Sequence, residues 1–231
     1  MQGLLLIDKP AGWTSFDAVN YVRKNVAAAE GKRPKQIKVG HAGTLDPFAT
    51  GLLVLLISKD YTRRAGEFSK LDKTYEVTMR LGATSSTGDP EGDISHVSDT
   101  KPTKTVLQTT LQKFVGTIEQ TPPAYSAIKV NGQRAYKLAR AGKAVKIEPR
   151  RVTINRLELT GYTYPDVKFT ADVSSGTYIR SLVEDLGKTL RTGAYTTALR
   201  RTKVGEFNIT SSTPVLDITN PAEQLAAHST K

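Results

Sequence analysis

The sequence predicts a mixed α/β fold, and three stretches carry the prediction. Leu52-Leu53-Val54-Leu55-Leu56-Ile57 is an unbroken apolar run that reads as a buried strand. From Tyr75 the chain alternates, with Tyr75, Val77, Met79 and Leu81 on one side and Glu76, Thr78 and Arg80 on the other, the period of a half-buried strand. Ile179, Leu182, Val183, Leu186 and Leu190 recur at the spacing of one helix face, the strongest helical signal in the chain.

The remaining elements follow in order. Gly3 to Ile7 reads as a strand, and Asp8-Lys9-Pro10-Ala11-Gly12 as the turn after it. Thr14 and Asp17 have the spacing of a capping box, opening a helix with Val19, Val22 and Val26 on one face. Gly31 to Lys38 is a basic loop leading to Gly40-His41-Ala42-Gly43-Thr44-Leu45-Asp46-Pro47-Phe48-Ala49-Thr50-Gly51. Residues 82 to 104 are polar and read as a surface loop, followed by a helix with Val106, Leu107, Leu111 and Phe114. Val152 and Ile154 break phase to Leu157 and Leu159, and a further strand carries Val167, Phe169, Ala171 and Val173. Asn220-Pro221-Ala222-Glu223 caps one last short helix.

Composition narrows the function classes. With 33 Lys and Arg against 22 Asp and Glu, the net charge of +11 favours polyanionic partners. The longest apolar run is far too short to span a bilayer, the mean hydropathy is −0.34, and the N-terminus lacks the features of a signal peptide. A soluble, cytoplasmic protein is expected. The absence of cysteine removes thiol catalysis and thiolate metal sites, and His41, His96 and His228 form no ligand pair, so no metal is expected. At 231 residues the chain fits one large domain, or one with a small appendage, and no sustained heptad argues for an obligate oligomer.

Two local features ask for a partner. Thr121 to Arg151 is dense in Lys and Arg, has Glu148 as its one acid, sets Tyr125 and Tyr136 among the cations, and carries an Asn131-Gly132 hairpin turn. Such interleaving suits RNA, whose phosphates take charge and whose unstacked bases take rings; a solvated basic hairpin is the other reading. Arg180 stands in the first turn of its helix, where the dipole disfavours a cation, so it asks for a specific anion or else faces solvent.

Six segments, in order, resemble the bacterial tRNA pseudouridine-55 synthases of the TruB type. They are LLLIDKPAGWTS from Leu4, GHAGTLDPFATGLLVL from Gly40, LDKTYEV from Leu71, QTPPAYSAIKVNGQRAYKLARAG from Gln120, SGTYIRSLVEDLG from Ser175 and LRRTKVGEF from Leu199. The resemblance covers roughly residues 3 to 207 and implies the pseudouridine-synthase fold, a central mixed, largely antiparallel sheet flanked by helices and loops. A catalytic domain over 1–212 is then expected, with 121–151 as an RNA-gripping thumb and 213–231 as a tail or short helix. The PUA domain of many relatives would be missing.

The resemblance also implies a reaction. A T-loop uridine of tRNA is flipped out, its N-glycosidic bond is broken, and the uracil is turned and rejoined through carbon, without a cofactor. Asp46 would be the essential carboxylate, Tyr75 would stack on the uracil, and Arg180 would pair with Asp46. Tyr178 and Leu199 would line the uracil pocket, and Lys9 and Lys73 would support the site or nearby phosphates. His41 would contact the nucleotide, and Lys129 and Arg134 of the basic segment would grip RNA. Tyr195 stands where the family usually has histidine. The expected partner is the T-stem-loop of tRNA, with no membrane and no obligate protein partner for a monomer. A tRNA-folding chaperone and a glycosidic-bond hydrolase using the same carboxylate are the alternatives.

Overall fold

A computed structural model describes residues 1–130, 132–143 and 145–226. In chain order the elements are β1 (Gly3–Lys9), α1 (Ser15–Ala29), β2 (Val39–His41), β3 (Thr50–Ile57), α2 (Lys59–Arg63), α3 (Ala65–Ser69) and β4 (Lys73–Leu81). Next come β5 (Ala83–Ser85), β6 (Ile94–His96), α4 (Lys104–Lys113), β7 (Gly116–Gln120), β8 (Lys129–Val130), β9 (Gln133–Arg134) and α5 (Ala135–Arg140). The chain ends with β10 (Arg150–Thr163), β11 (Asp166–Val173), α6 (Ile179–Leu190), β12 (Ala194–Val204), β13 (Phe207–Asn208), β14 (Thr213–Pro214) and α7 (Pro221–Ala226). They form two compact units, the first of Met1–Tyr75 together with Leu199 onward, the second of Glu76–Ala198.

In the first unit β3 is the core strand. It runs antiparallel to β1 in an unbroken register from Gly3 opposite Ile57 to Lys9 opposite Gly51, and parallel to the end of β12, where Arg201 aligns with Gly51. Every residue of β3 from Gly51 on is buried, which is why its sequence shows no polar alternation. β2 closes on β3 and β14 on β1. The expected turn at Asp8 and Lys9 is corrected: both continue β1, because pairing with β3 persists through Lys9. The capping box is present, with the Asp17 amide donating to Thr14 Oγ1 and the Thr14 amide to Asp17 Oδ2, and α1 buries Val19, Val22 and Val26.

In the second unit β11 and β7 flank β10 antiparallel. The phase break after Ile154 is a bulge inside one long strand, since the register with β11 slips between Ile154 and Arg156. Residues 82–104 are corrected from a plain surface loop: β5 and β6 pair antiparallel around a tight connection, and Asp89 within it is buried. α4 buries Leu107 and Leu111, while Val106 is exposed and Phe114 lies past its end. β8 and β9 form the expected hairpin, with Gly132 in the left-handed conformation its turn requires. The turn's other residue, Asn131, lies outside the described residues.

Candidate active site

In the first unit, the loop carrying Asp46 is tied down by its backbone. Ala42 donates to the Val54 carbonyl at 2.9 Å, Leu45 exchanges both its backbone groups with the buried Ser15 hydroxyl at 2.8 and 3.1 Å, and the Pro47 carbonyl accepts from Gly12 at 2.9 Å. The Asp46 side chain takes part in none of these bonds and is half-buried.

Arg201 is the deepest support. It is 1% exposed, its Nε donates to the Leu52 carbonyl at 2.8 Å, and its Nη2 donates to the Gly43 carbonyl at 3.0 Å, so one guanidinium grips the loop near its start and just beyond its end. Gly51 must be glycine: its φ is +103°, and a Cβ there would stand 2.3 Å from the Arg201 carbonyl oxygen.

Lys9, fully buried, donates from Nζ to the carbonyls of Trp13 at 2.7 Å, Pro10 at 2.8 Å and Pro47 at 3.3 Å. All three ammonium protons are therefore spent on the turns around Asp46, which makes Lys9 a support of the loop. Burial lowers its pKa from 10.5 to about 8; Asp46 pulls it back up and Arg201 pushes it down. The attraction is mutual, so the ammonium favours the ionised form of Asp46. Lys73 is built alike, donating to the carbonyls of Ser69 and Leu71, and burial with the Arg201 charge brings it to about 8. His41, at the end of β2, has a buried Nδ1 without a hydrogen-bond partner among the described residues. Burial, then Arg201, lowers its pKa below 6.5, so the ring is neutral at physiological pH. Tyr75 and Leu199 are buried in the same unit.

The lysine geometry carries a pH prediction. Between about pH 8 and 10.5 the unfolded chain keeps a proton on Lys9 that the folded chain has lost, so folding gains with rising pH. The unfolding free energy of the native protein should therefore rise relative to that of Lys9→Met across this window, by at most about 1.4 kcal/mol per pH unit. Below pH 8 the difference should be flat. Urea titrations of both proteins at pH 7, 8, 9 and 10 check it; a pH-independent difference would mean that Lys9 titrates as in water.

In the second unit, Arg180 is 3% exposed. Its Nη1 lies 3.3 Å from Asp89 Oδ2 and donates to the Thr87 carbonyl at 2.8 Å, and its Nη2 donates to the Tyr125 carbonyl at 2.8 Å. An anion for the misplaced cation is thus present locally, in the connection between β5 and β6. Asp89 is itself fixed by the Thr87 hydroxyl at 2.5 Å and the Glu91 amide at 3.1 Å, both on Oδ1. Sequence reasoning missed Asp89 because an acid in a polar run looks like a turn former.

Tyr178, the residue before α6, is clamped through its backbone by buried Gln120, which accepts from its amide at 2.8 Å and donates to its carbonyl at 3.0 Å. Arg150 lies over the Tyr178 ring, 5.1 Å from its centroid. Lys129 and Arg134 face each other across the β8–β9 hairpin, both exposed. Tyr195 is buried and interacts with Arg80, which also forks onto Asp166 at 2.9 and 3.1 Å. The first unit carries Asp46, Lys9, Lys73, His41, Tyr75 and Leu199, with Lys9 beside Asp46 and Arg201 acting on Lys9, Lys73 and His41, and the second carries Arg180, Tyr178, Lys129 and Arg134.

The chain is also similar to known proteins. Residues 31–179 match the family described as TruB family pseudouridylate synthase, N-terminal domain, and residues 180–227 match the tRNA pseudouridylate synthase B C-terminal domain. A protein named tRNA pseudouridine synthase B from Flavobacterium johnsoniae is 43% identical over 223 residues, 96% of this chain and 95% of the relative. Its namesake from Bacteroides fragilis is 42% identical over 207 residues, 89% of this chain and 88% of the relative. Among solved structures, a chain of a Cbf5-Nop10-Gar1 complex superposes with a TM-score of 0.71 at 27% identity, over 94% of this chain and 53% of that one. The two family matches, which together run from residue 31 to 227, and the relatives that are identical at more than two residues in five show that the chain belongs to the TruB family of pseudouridylate synthases.

Proposed function

We propose that this chain is a tRNA pseudouridine synthase that isomerises the T-loop uridine at position 55, with Asp46 as its essential carboxylate. The observation that carries the reading is Asp46 itself: a half-buried carboxylate on a loop fixed by backbone bonds, beside the buried ammonium of Lys9 that favours its charged form. The names of the relatives supply the substrate class.

The isomerisation breaks the bond from ribose C1′ to uracil N1, forms one from C1′ to C5, moves a proton off C5 and returns one to N1. Atoms and oxidation level balance without a cofactor. Positive charge develops on the ribose as the base departs, and an ionised Asp46 meets it as nucleophile or electrostatic partner. Tyr75 stacks on the uracil and Leu199 supplies an apolar wall, so the detached base turns without entering water. His41, neutral, contacts the nucleotide without adding a cation near the developing charge. From the resemblance, Arg180 holds the Asp46 carboxylate ionised and aimed, Tyr178 lines the uracil pocket, and Lys129 and Arg134 take RNA phosphates. Flipping the base costs about a few kcal/mol, drawn from these contacts.

Incubation of the purified protein with an unmodified T-stem-loop RNA, without added metal or cofactor, followed by nucleotide-resolved mass spectrometry, tests the reading. Pseudouridine at the T-loop uridine is expected. Release of free uracil would make the protein a hydrolase, and tight binding without product would leave it an RNA-folding protein.

A further inference from the structure

The geometry points to a second RNA contact, away from the target uridine: the exposed face of α1 is a preformed stacking platform for an unpaired nucleobase of the bound tRNA, with Phe16 as its ring. The inference rests on the tRNA reading above. α1 is amphipathic, with Val19, Val22 and Val26 inward, yet Phe16, on the flank of that stripe, is 60% exposed. So large a ring in water contributes little to the core.

The ring is also accompanied. Phe16, Asn20 and Arg23 follow at i, i+4 and i+7 along one face, and the Arg23 guanidinium lies 5.9 Å from the Phe16 centroid. Arg23 is held there from two sides, its Nη1 donating to Asn20 Oδ1 at 2.8 Å and its Nη2 to the Val39 carbonyl at 3.4 Å. An aromatic face beside an immobilised guanidinium plane is the surface on which bases stack, irrespective of their identity.

Charge and position make RNA the occupant. The connection from α1 to β2, residues 31–38, exposes Lys32, Arg33, Lys35 and Lys38 and contains no acid, which suits the phosphates flanking a stacked base. Both ends of the face join the Asp46 loop within the first unit. Upstream, Gly12 and Trp13 in the turn before α1 bond to Pro47 and Lys9, and downstream Val39 opens β2, which runs into His41. RNA held on this face therefore lies against the elements that carry Asp46.

The test is the Kd of the full-length protein for unmodified tRNA with Phe16→Ala, Phe16→Leu and Phe16→Trp, alongside pseudouridine formation by each. Loss of one stacked base predicts about 5- to 150-fold weaker binding for Phe16→Ala. Phe16→Trp should bind like the native protein, Phe16→Leu like Phe16→Ala, and the single-turnover rate at saturating tRNA should stay unchanged in all three. Binding by Phe16→Ala within twofold of native would overturn the platform, as would full rescue by Leu. An unchanged Kd combined with a native dimer that Phe16→Ala dissociates would assign the face to a second copy of the chain instead. The two readings fail separately: absence of product from the native protein refutes the synthase, whereas product with no effect of Phe16 refutes only the platform.

Discussion

Asp46→Asn is expected to remove pseudouridine formation, by about 10⁴-fold or more in single-turnover rate, while tRNA affinity should stay within about threefold of native. The separation of the two effects follows from how the loop is held. Its ties run through the backbone of Ala42, Gly43, Leu45 and Pro47 and through the side chains of Ser15, Lys9 and Arg201. None of these ties uses the Asp46 carboxylate, so the isosteric amide keeps them while it removes the charge and nucleophilicity. Asp46→Glu is the stricter variant, because it restores the charge but moves it by one methylene. A displacement of that order costs about 10²-fold where geometry governs the rate. Asp46→Glu should therefore bind tRNA as the native protein does while its rate falls about 10²-fold. A rate for Asp46→Asn within tenfold of native would remove the carboxylate from the reaction.

Much of the fold was legible because its signals are local. The capping box at Thr14 and Asp17, the all-apolar β3 and the stripe of α6 each state their element in neighbouring residues. The phase break after Ile154 was visible as well, and the register with β11 explains it as a bulge. What stayed hidden depends on partners far along the chain. Asp8 and Lys9 resemble a turn before Pro10, yet pairing with β3 extends the strand through both. Asp89 sits in a polar stretch whose burial is decided by Arg180, about 90 positions later.

The site divides the same way. The motif points to Asp46 as the candidate carboxylate, and the resemblance gives Lys9 and Lys73 a supporting role. That their ammonium groups turn onto backbone carbonyls is visible only in the structure. Nothing within LRRTKVGEF marks Arg201, since alternation in a strand does not distinguish which of two adjacent arginines is interior. Arg200 turns outward to fork onto Asp8 at 3.1 and 2.5 Å, while Arg201 turns in.

Arg201→Met should consequently be among the most destabilising single changes in the first unit. Methionine fills much of the stem's space but leaves the carbonyls of Leu52 and Gly43 without donors, and each buried unsatisfied acceptor costs about 1–3 kcal/mol. A loss of about 2–5 kcal/mol is expected from urea unfolding. Arg201→Lys should recover only part of it, because a single ammonium lacks the fork that reaches both carbonyls. A second readout separates this role from simple packing. The Arg201 charge is one of the causes that hold His41 low, after burial, and it lowers Lys9 and Lys73 as well. Removing it should raise the His41 pKa in an NMR titration of the imidazole proton, whereas Arg201→Lys should leave it near the native value. Loss of stability with an unmoved His41 would mean that Arg201 only packs; a rise in both His41 and the turnover defect would tie the buried charge to the loop that presents Asp46.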